Sequence, residues 1–159
     1  MAIEIHEVRS TLNDLIETCK DSEEGYKIAA EKVSDPDVRT LFLKSSRQRS
    51  QFAGELQAEI VTLGGEPATA GSVGGAIHRG WIGLKSAVTV EHDVTVLEEV
   101  ERGEDSALKN YHEALEKDLP ANLRVIVERQ YWEIRKTHDN VRALRASHWK
   151  MEVPMAGLV

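Results

Sequence analysis

Between Val8 and Val33 the side chains at Val8, Leu12, Leu15, Cys19, Ser22, Tyr26, Ala29 and Val33 recur in alternating steps of four and three, and only Ser22 among them is polar. That spacing puts all of them on one stripe of an α-helix and on no single face of a strand. A stripe of this length must be covered by another element, and the chain supplies one at once. In Ser34-Asp35-Pro36-Asp37 the residue before proline is driven out of the helical region, Asp35 is placed to cap a new helix, and Pro36 suits its first position. A second stripe follows through Val38, Leu41, Phe42, Ser45, Gln48, Phe52, Leu56, Ile60 and Leu63, and Gly64-Gly65 ends it with residues suited to a left-handed cap. The first 65 residues therefore predict a helical hairpin with a tight turn.

Residues 64–91 differ in kind: they are rich in glycine and include Pro67 and Gly71-Ser72-Val73-Gly74-Gly75-Ala76. We read them as a crossover carrying a short helix over about 72–87, since helices this long reach about 40 Å at 1.5 Å per residue and the chain must return along them. A third stripe runs through Val94, Leu97, Glu101, Glu104, Leu108, Tyr111 and Leu115, and Asp118-Leu119-Pro120 makes a second tight turn. The fourth takes Leu123, Val127, Gln130, Ile134, His138, Val141 and Leu144. Helices are expected over about 5–34, 36–63, 92–117 and 120–149, within one domain covering residues 1–150, with a C-terminal tail at 151–159. Strand periodicity is missing throughout. The predicted fold class is all-α, a four-helix bundle of two antiparallel hairpins joined by the crossover.

Charge agrees with the pairing. Residues 1–34 carry eight Asp and Glu against four Lys and Arg, and residues 91–118 ten against three; residues 36–63 have three against four, and 119–150 three against seven. Acidic helices thus alternate with basic ones, so each hairpin pairs opposite signs, which steers register more than it stabilises. The net charge of −7 argues against a nucleic-acid partner, whose phosphates need clustered cations. Cys19 is the only cysteine, so neither an internal disulfide nor a Cys-x-x-Cys site can form. No apolar run approaches a membrane span, and the N-terminus lacks the pattern of a secretory signal, so a cytoplasmic protein with no membrane partner is expected. Gly71-Ser72-Val73-Gly74-Gly75 has neither the Lys nor the preceding strand of a phosphate-binding loop.

The polar interruptions of the stripes fall at one height. Ser22 lies 13 residues before Asp35 and Gln48 lies 13 after it; Glu104 and Ile134 are each 15 from Leu119, and Glu101 and His138 are 18 and 19 away. These counts predict a central polar layer drawn from Ser22, Glu24, Gln48, Arg49, Gln51, Glu101, Glu104, Arg135 and His138.

Glu24-Gly25-Tyr26, Gln48-Arg49, Glu55-Leu56-Gln57, Leu63-Gly64-Gly65, His78-Arg79-Gly80-Trp81, Glu101-Arg102-Gly103-Glu104-Asp105 and Glu128-Arg129-Gln130-Tyr131 resemble the motifs of a bacterial family of ferritin-like four-helix bundles catalogued as a domain of unknown function. The resemblance covers nearly the whole chain and implies a ferritin-like bundle without assigning an activity. Ferritin-like di-iron sites take a Glu from each of two helices and Glu-x-x-His from each of the other two. The matching places here read Gln48-x-x-Gln51 and Arg135-x-x-His138. A carboxamide is a weak ligand, and a guanidinium sets a permanent positive charge where a cation should sit. No metal, cofactor or catalytic residue is therefore expected; instead Arg49 or Arg135 should pair with Glu24, Glu101 or Glu104. The resulting expectation is a non-catalytic bundle of unknown function with an accessory, stress-associated or interaction role. The alternative is a di-metal carboxylate protein of ferroxidase or oxidase type that uses Glu23 or Glu24, Glu101, Glu104 and His138. A DNA-protecting assembly of the mini-ferritin kind is disfavoured by the lack of a basic N-terminal tail.

Two further features bear on partners. Trp81, beside Arg79, either caps the end of the bundle or contacts a second copy. Apolar surface on the crossover and the tail around Met155-Ala156-Gly157-Leu158 suggests a homodimer, alongside a protein partner that the sequence does not name.

Overall fold

Ser34 and Asp35 form the tight turn between the first two helices, and all four helices meet there. In the computed structural model, which describes residues 4–71, 81, 84 and 92–152, four helices run as α1 (Ile5–Lys32), α2 (Pro36–Thr62), α3 (Asp93–Leu115) and α4 (Ala121–Glu152). Asp35 caps α2 by accepting from the backbone N–H of Asp37 at 2.8 Å and of Val38 at 3.4 Å, with Pro36 in the first turn. Asp93, at the start of α3, accepts from the N–H of Ser34 at 2.8 Å and of Asp35 at 2.9 Å. His148, near the end of α4, reaches the Asp35 carboxylate at 3.1 Å.

The other end is closed as firmly. Gly64 adopts φ +74°, a left-handed conformation that favours glycine. There Gly65 N–H returns to the Ile60 carbonyl and Gly64 N–H to that of Val61, each at 2.9 Å, the paired bonds of a Schellman C-cap. The Arg9 guanidinium donates to the Leu63 carbonyl, fastening the end of α2 to the start of α1. Arg124 of α4 donates to the carbonyls of Leu115 at 3.0 Å and Lys117 at 2.5 Å, holding the second tight turn.

These ends fix the topology. α2 finishes beside the start of α1, whereas α3 begins beside the end of α1, at the opposite end of the bundle. α1 packs on α2, α3 on α4, and α1 on α3, while α2 and α4 are neighbours that touch only lightly. Each neighbouring pair is antiparallel. α2 and α3 therefore face each other across the diagonal. The crossover helix expected over 72–87 and the tail from 153 lie outside the described residues, apart from Trp81 and Leu84, whose N–H donates to the Trp81 carbonyl at 3.2 Å. The fourth helix continues to Glu152, beyond the 149 expected, and so takes in the first residues of the expected tail.

The apolar core is in two parts. One, toward the Gly64 end, gathers Leu12, Leu15, Phe52, Leu56, Ile60, Leu123, Val127 and Ile134. The other, toward Asp35, gathers Tyr26, Val33, Phe42, Trp81, Leu97, Val100 and Val141. Between them lie buried polar side chains.

Candidate functional site

Arg49 and Glu104 occupy the gap between the two cores. Each sits on the inward stripe of its helix, and both side chains are 0% exposed. The guanidinium and the carboxylate meet fork to fork, Nη1 to Oε1 at 2.5 Å and Nη2 to Oε2 at 2.6 Å. Because α2 and α3 are diagonal, this pair passes through the bundle axis. Burial by itself would pull the arginine pKa down, but the Glu104 charge and hydrogen bonds more than offset it and hold the pKa above its ordinary value. The guanidinium stays charged. Its third nitrogen, Nε, donates toward the Gln48 amide oxygen at 3.4 Å, and its carbon lies 5.4 Å from the centre of the Tyr26 ring, a cation–π distance.

Tyr26 belongs to the same site. Its hydroxyl is buried beside Arg49 and Glu104. Burial, then the neighbouring Glu104 charge, pushes its pKa well above the ordinary phenol value, while Arg49 opposes the rise. The Trp81 ring stands 5.3 Å from that of Tyr26 and fills the space between Gly25 on α1 and Gly103 on α3. A Cβ on either glycine would overlap the indole, so both positions must be glycine for the tryptophan to reach this depth. Trp81 is 2% exposed and sits at mid-bundle, level with Glu104. It neither caps the end of the bundle nor offers a surface for a second copy, because two helices that each lack a side chain admit it into their seam.

A second buried polar set lies toward the Gly64 end. Tyr111 Oη donates to Gln130 Oε1 at 2.7 Å and faces Cys19 Sγ at 3.0 Å, and Gln130 Nε2 donates to the Phe52 carbonyl at 3.3 Å. One chain of contacts thus joins all four helices. Burial pushes the Cys19 thiol up to about 11, a rise that the Tyr111 bond and Arg49 oppose. Tyr111 is likewise raised well above the ordinary value, first by burial and then by Cys19. This set was not anticipated. Its signal was available, since Cys19, Tyr111 and Gln130 each hold a stripe position and carry a polar atom.

Of the residues expected in the central layer, the structure brings together Ser22, Arg49 and Glu104 as buried side chains, with Gln48 half-buried beside them. Ser22 faces inward but donates to the Thr18 carbonyl of its own helix at 3.0 Å. Glu24, Gln51 and Arg135 are exposed, and the expectation that they join the layer is corrected: each lies one or two residues from an inward position, which turns it to the outside at about 100° per residue. Arg135 pairs with Asp139 at 3.6 Å. Glu101 sits at the α3–α4 seam, 2.5 Å from Arg145 and 3.9 Å from Arg142. His138 is buried but turned aside, its Nε2 2.7 Å from Asp105 and its Nδ1 3.1 Å from Asp139.

The alternative ligand set therefore does not converge. Glu23 meets Lys20 and Lys27, Glu101 meets Arg145, Glu104 meets Arg49, and His138 meets two surface aspartates. Among the described residues no three His, Cys, Asp or Glu gather within reach of one metal ion. The guanidinium fills the space between helices where a di-iron centre takes carboxylates, and its charge is of the wrong sign to admit a cation. The residues present do not fit that cofactor.

Comparison with known proteins follows this geometry. A family model described as "Domain of unknown function (DUF2383)" matches residues 7–117, more than two thirds of the chain. Among solved structures, a mutant Dps1 of Mycobacterium smegmatis superposes with a TM-score of 0.73 at 21% identity, over 89% of this chain and 96% of that one. The bacterioferritin-related protein of Bacteroides fragilis, a dodecameric thioferritin, superposes with a TM-score of 0.76 at 16% identity, over 94% of this chain and 90% of that one. No curated protein matches by sequence. At these identities the two structures establish the fold, a ferritin-like four-helix bundle. Among the described residues no helix is long and apolar enough to cross a membrane.

Proposed function

We propose that this chain, which belongs to the DUF2383 family, is a non-catalytic ferritin-like bundle in which an internal ion pair takes the place of the metals, and that it works as an accessory or interaction module. The observation that carries the reading is the Arg49–Glu104 fork, fully enclosed, on the bundle diagonal. A di-iron protein holds two hard cations there with bridging carboxylates. Here one carboxylate is fully engaged by a guanidinium, and the corresponding place on α2 reads Gln48-x-x-Gln51.

The test is metal analysis of the full chain purified without chelator, with an iron-oxidation assay on the same sample. Trace metal and no oxidation above the buffer rate are expected. A dinuclear complement of iron or manganese per chain, with Arg49 displaced, would overturn the proposal. Under this reading the chain resides in the cytoplasm and self-associates, a homodimer being the smallest form. The assembly of the Bacteroides fragilis neighbour as a dodecamer lends support to self-association. Trp81 takes no part in such a contact, since it is inside the bundle.

A further inference from the structure

α1 and α3 take Trp81 between them, whereas α2 and α4, the neighbouring pair in least contact, leave a pocket of about 130 Å³ at mid-length. Its wall carries Lys44, Ser45 and Gln48 from α2 and Glu133, Lys136 and Asn140 from α4. Among the described residues neither lysine makes an ion pair, although the chain is acidic overall. Two cations from separate helices thus border one small pocket whose only counter-charge is Glu133.

Gln48 gives the pocket a direction. Its carbonyl oxygen faces Arg49 Nε at 3.4 Å, so its NH2 group, which can only donate, is the end left for the pocket. The hydroxyl of Thr137, another lining residue, is already spent on the Glu133 carbonyl at 3.1 Å. The remaining groups are two ammonium ions, the Gln48 amide, the Ser45 hydroxyl, the Asn140 amide and the Glu133 carboxylate, with Leu41 as the apolar wall. Apart from Glu133, each polar group can donate.

We propose that this pocket binds a small anion through carboxylate or phosphate oxygens, held between Lys44 and Lys136 with the Gln48 amide donating from below. An anion there relieves the like charges of the two lysines and gives the Gln48 donor a partner that water otherwise supplies. Glu133 opposes it and sets a limit on affinity. The site does not depend on the absence of metal from the bundle centre.

The experiment is equilibrium binding to the full chain at constant ionic strength, with inorganic phosphate in one arm and glutarate in the other. Saturable binding at one site per chain is expected in at least one arm, and the arm that binds tells phosphate from carboxylate ligands. Lys44→Gln and Lys136→Gln should each weaken it roughly fivefold, as expected for one lost charge contact in a solvated site. Glu133→Gln should strengthen it by a similar factor. Opposite signs from substitutions in one pocket cannot come from unfolding, and circular dichroism of each variant checks that the fold is kept. Two results would sink the proposal: no saturable binding of either anion, or affinities that respond equally to Lys109→Gln on α3.

Discussion

Replacing Glu104 by Gln keeps the shape of the side chain and removes its charge. In the native bundle both carboxylate oxygens are engaged by Arg49, at 2.5 and 2.6 Å, and neither side chain touches water. The variant leaves a guanidinium enclosed by Tyr26, Gln48 and apolar side chains with one neutral acceptor and an amide N–H2 group pointing at its own donors. Stranding one member of a buried pair costs roughly 3–5 kcal/mol. For a chain of this size each kcal/mol corresponds to about 2–4 °C in Tm, so a drop of roughly 6–20 °C is expected. Thermal melting followed by circular dichroism measures it, and urea unfolding gives the same loss on an independent axis. The double variant Arg49→Met with Glu104→Leu removes both charges and should recover most or all of the lost stability. A Glu104→Gln melt within about 2 °C of the parent would mean that the pair is hydrated, and the account of the centre would fail.

Gly103→Ala should destabilise, although Ala is favoured over Gly by about 1 kcal/mol in an ordinary helix, because the new Cβ meets the Trp81 indole; a red-shifted Trp81 emission would report the displaced ring, and a raised Tm would refute the wedge. Cys19, with its thiol pushed up to about 11 and no exposure to speak of, should not react with a thiol reagent at neutral pH until denaturant is added; labelling of the native bundle at the rate of a free thiol would contradict its burial. Asp35 has a lowered pKa, first through the bond from the Asp37 N–H, which burial opposes, with Val38 N–H and His148 adding to the lowering. A depressed acid contributes stability that is present above its unfolded pKa and disappears as pH falls through the folded value, so the Asp35→Ala variant should melt below the parent at neutral pH and approach it in strong acid. An equal gap at both pH values would rule out the cap.

Much of this architecture is legible in the sequence, for reasons that differ between residues. Four stripes and two proline-marked turns specify the hairpins because apolar periodicity and turn chemistry act locally. Arg49 could be proposed as an interior cation, and Glu104 as one of three candidate partners, because both sit near stripe positions and their heights can be counted from the turns. What counting cannot supply is the angle. Arg135 follows the inward Ile134 by one residue and therefore points outward, and Gln51 likewise precedes the inward Phe52. Ser22 has the right angle but satisfies itself within one turn of its own helix, a common outcome for serine in a helix. The Trp81 wedge depends on two glycines 78 residues apart in sequence, and a tryptophan that reads as surface is interior because α1 and α3 both lack a side chain where it enters.

The two polar layers act on register more than on stability. A buried pair contributes little net free energy relative to apolar residues of the same shape, so stability alone does not account for Arg49 and Glu104. Four amphipathic helices of 23 to 32 residues, however, pack their apolar stripes almost as well after one has slid by a turn, about 5.4 Å. Such a slide of α3 would pull Glu104 off Arg49 and Tyr111 off both Cys19 and Gln130 in a single step. It would strand a charge and several donors together, each a penalty of the kind that buried networks impose when half satisfied. It would also drive a side chain of α3 into the indole where Gly103 now makes room. Metals bridging four helices fix register in a ferritin-like bundle by demanding that their ligands meet at one height. A fork on the diagonal, a hydrogen-bonded chain across all four helices and a tryptophan wedged between two glycines impose the same demand with side chains alone.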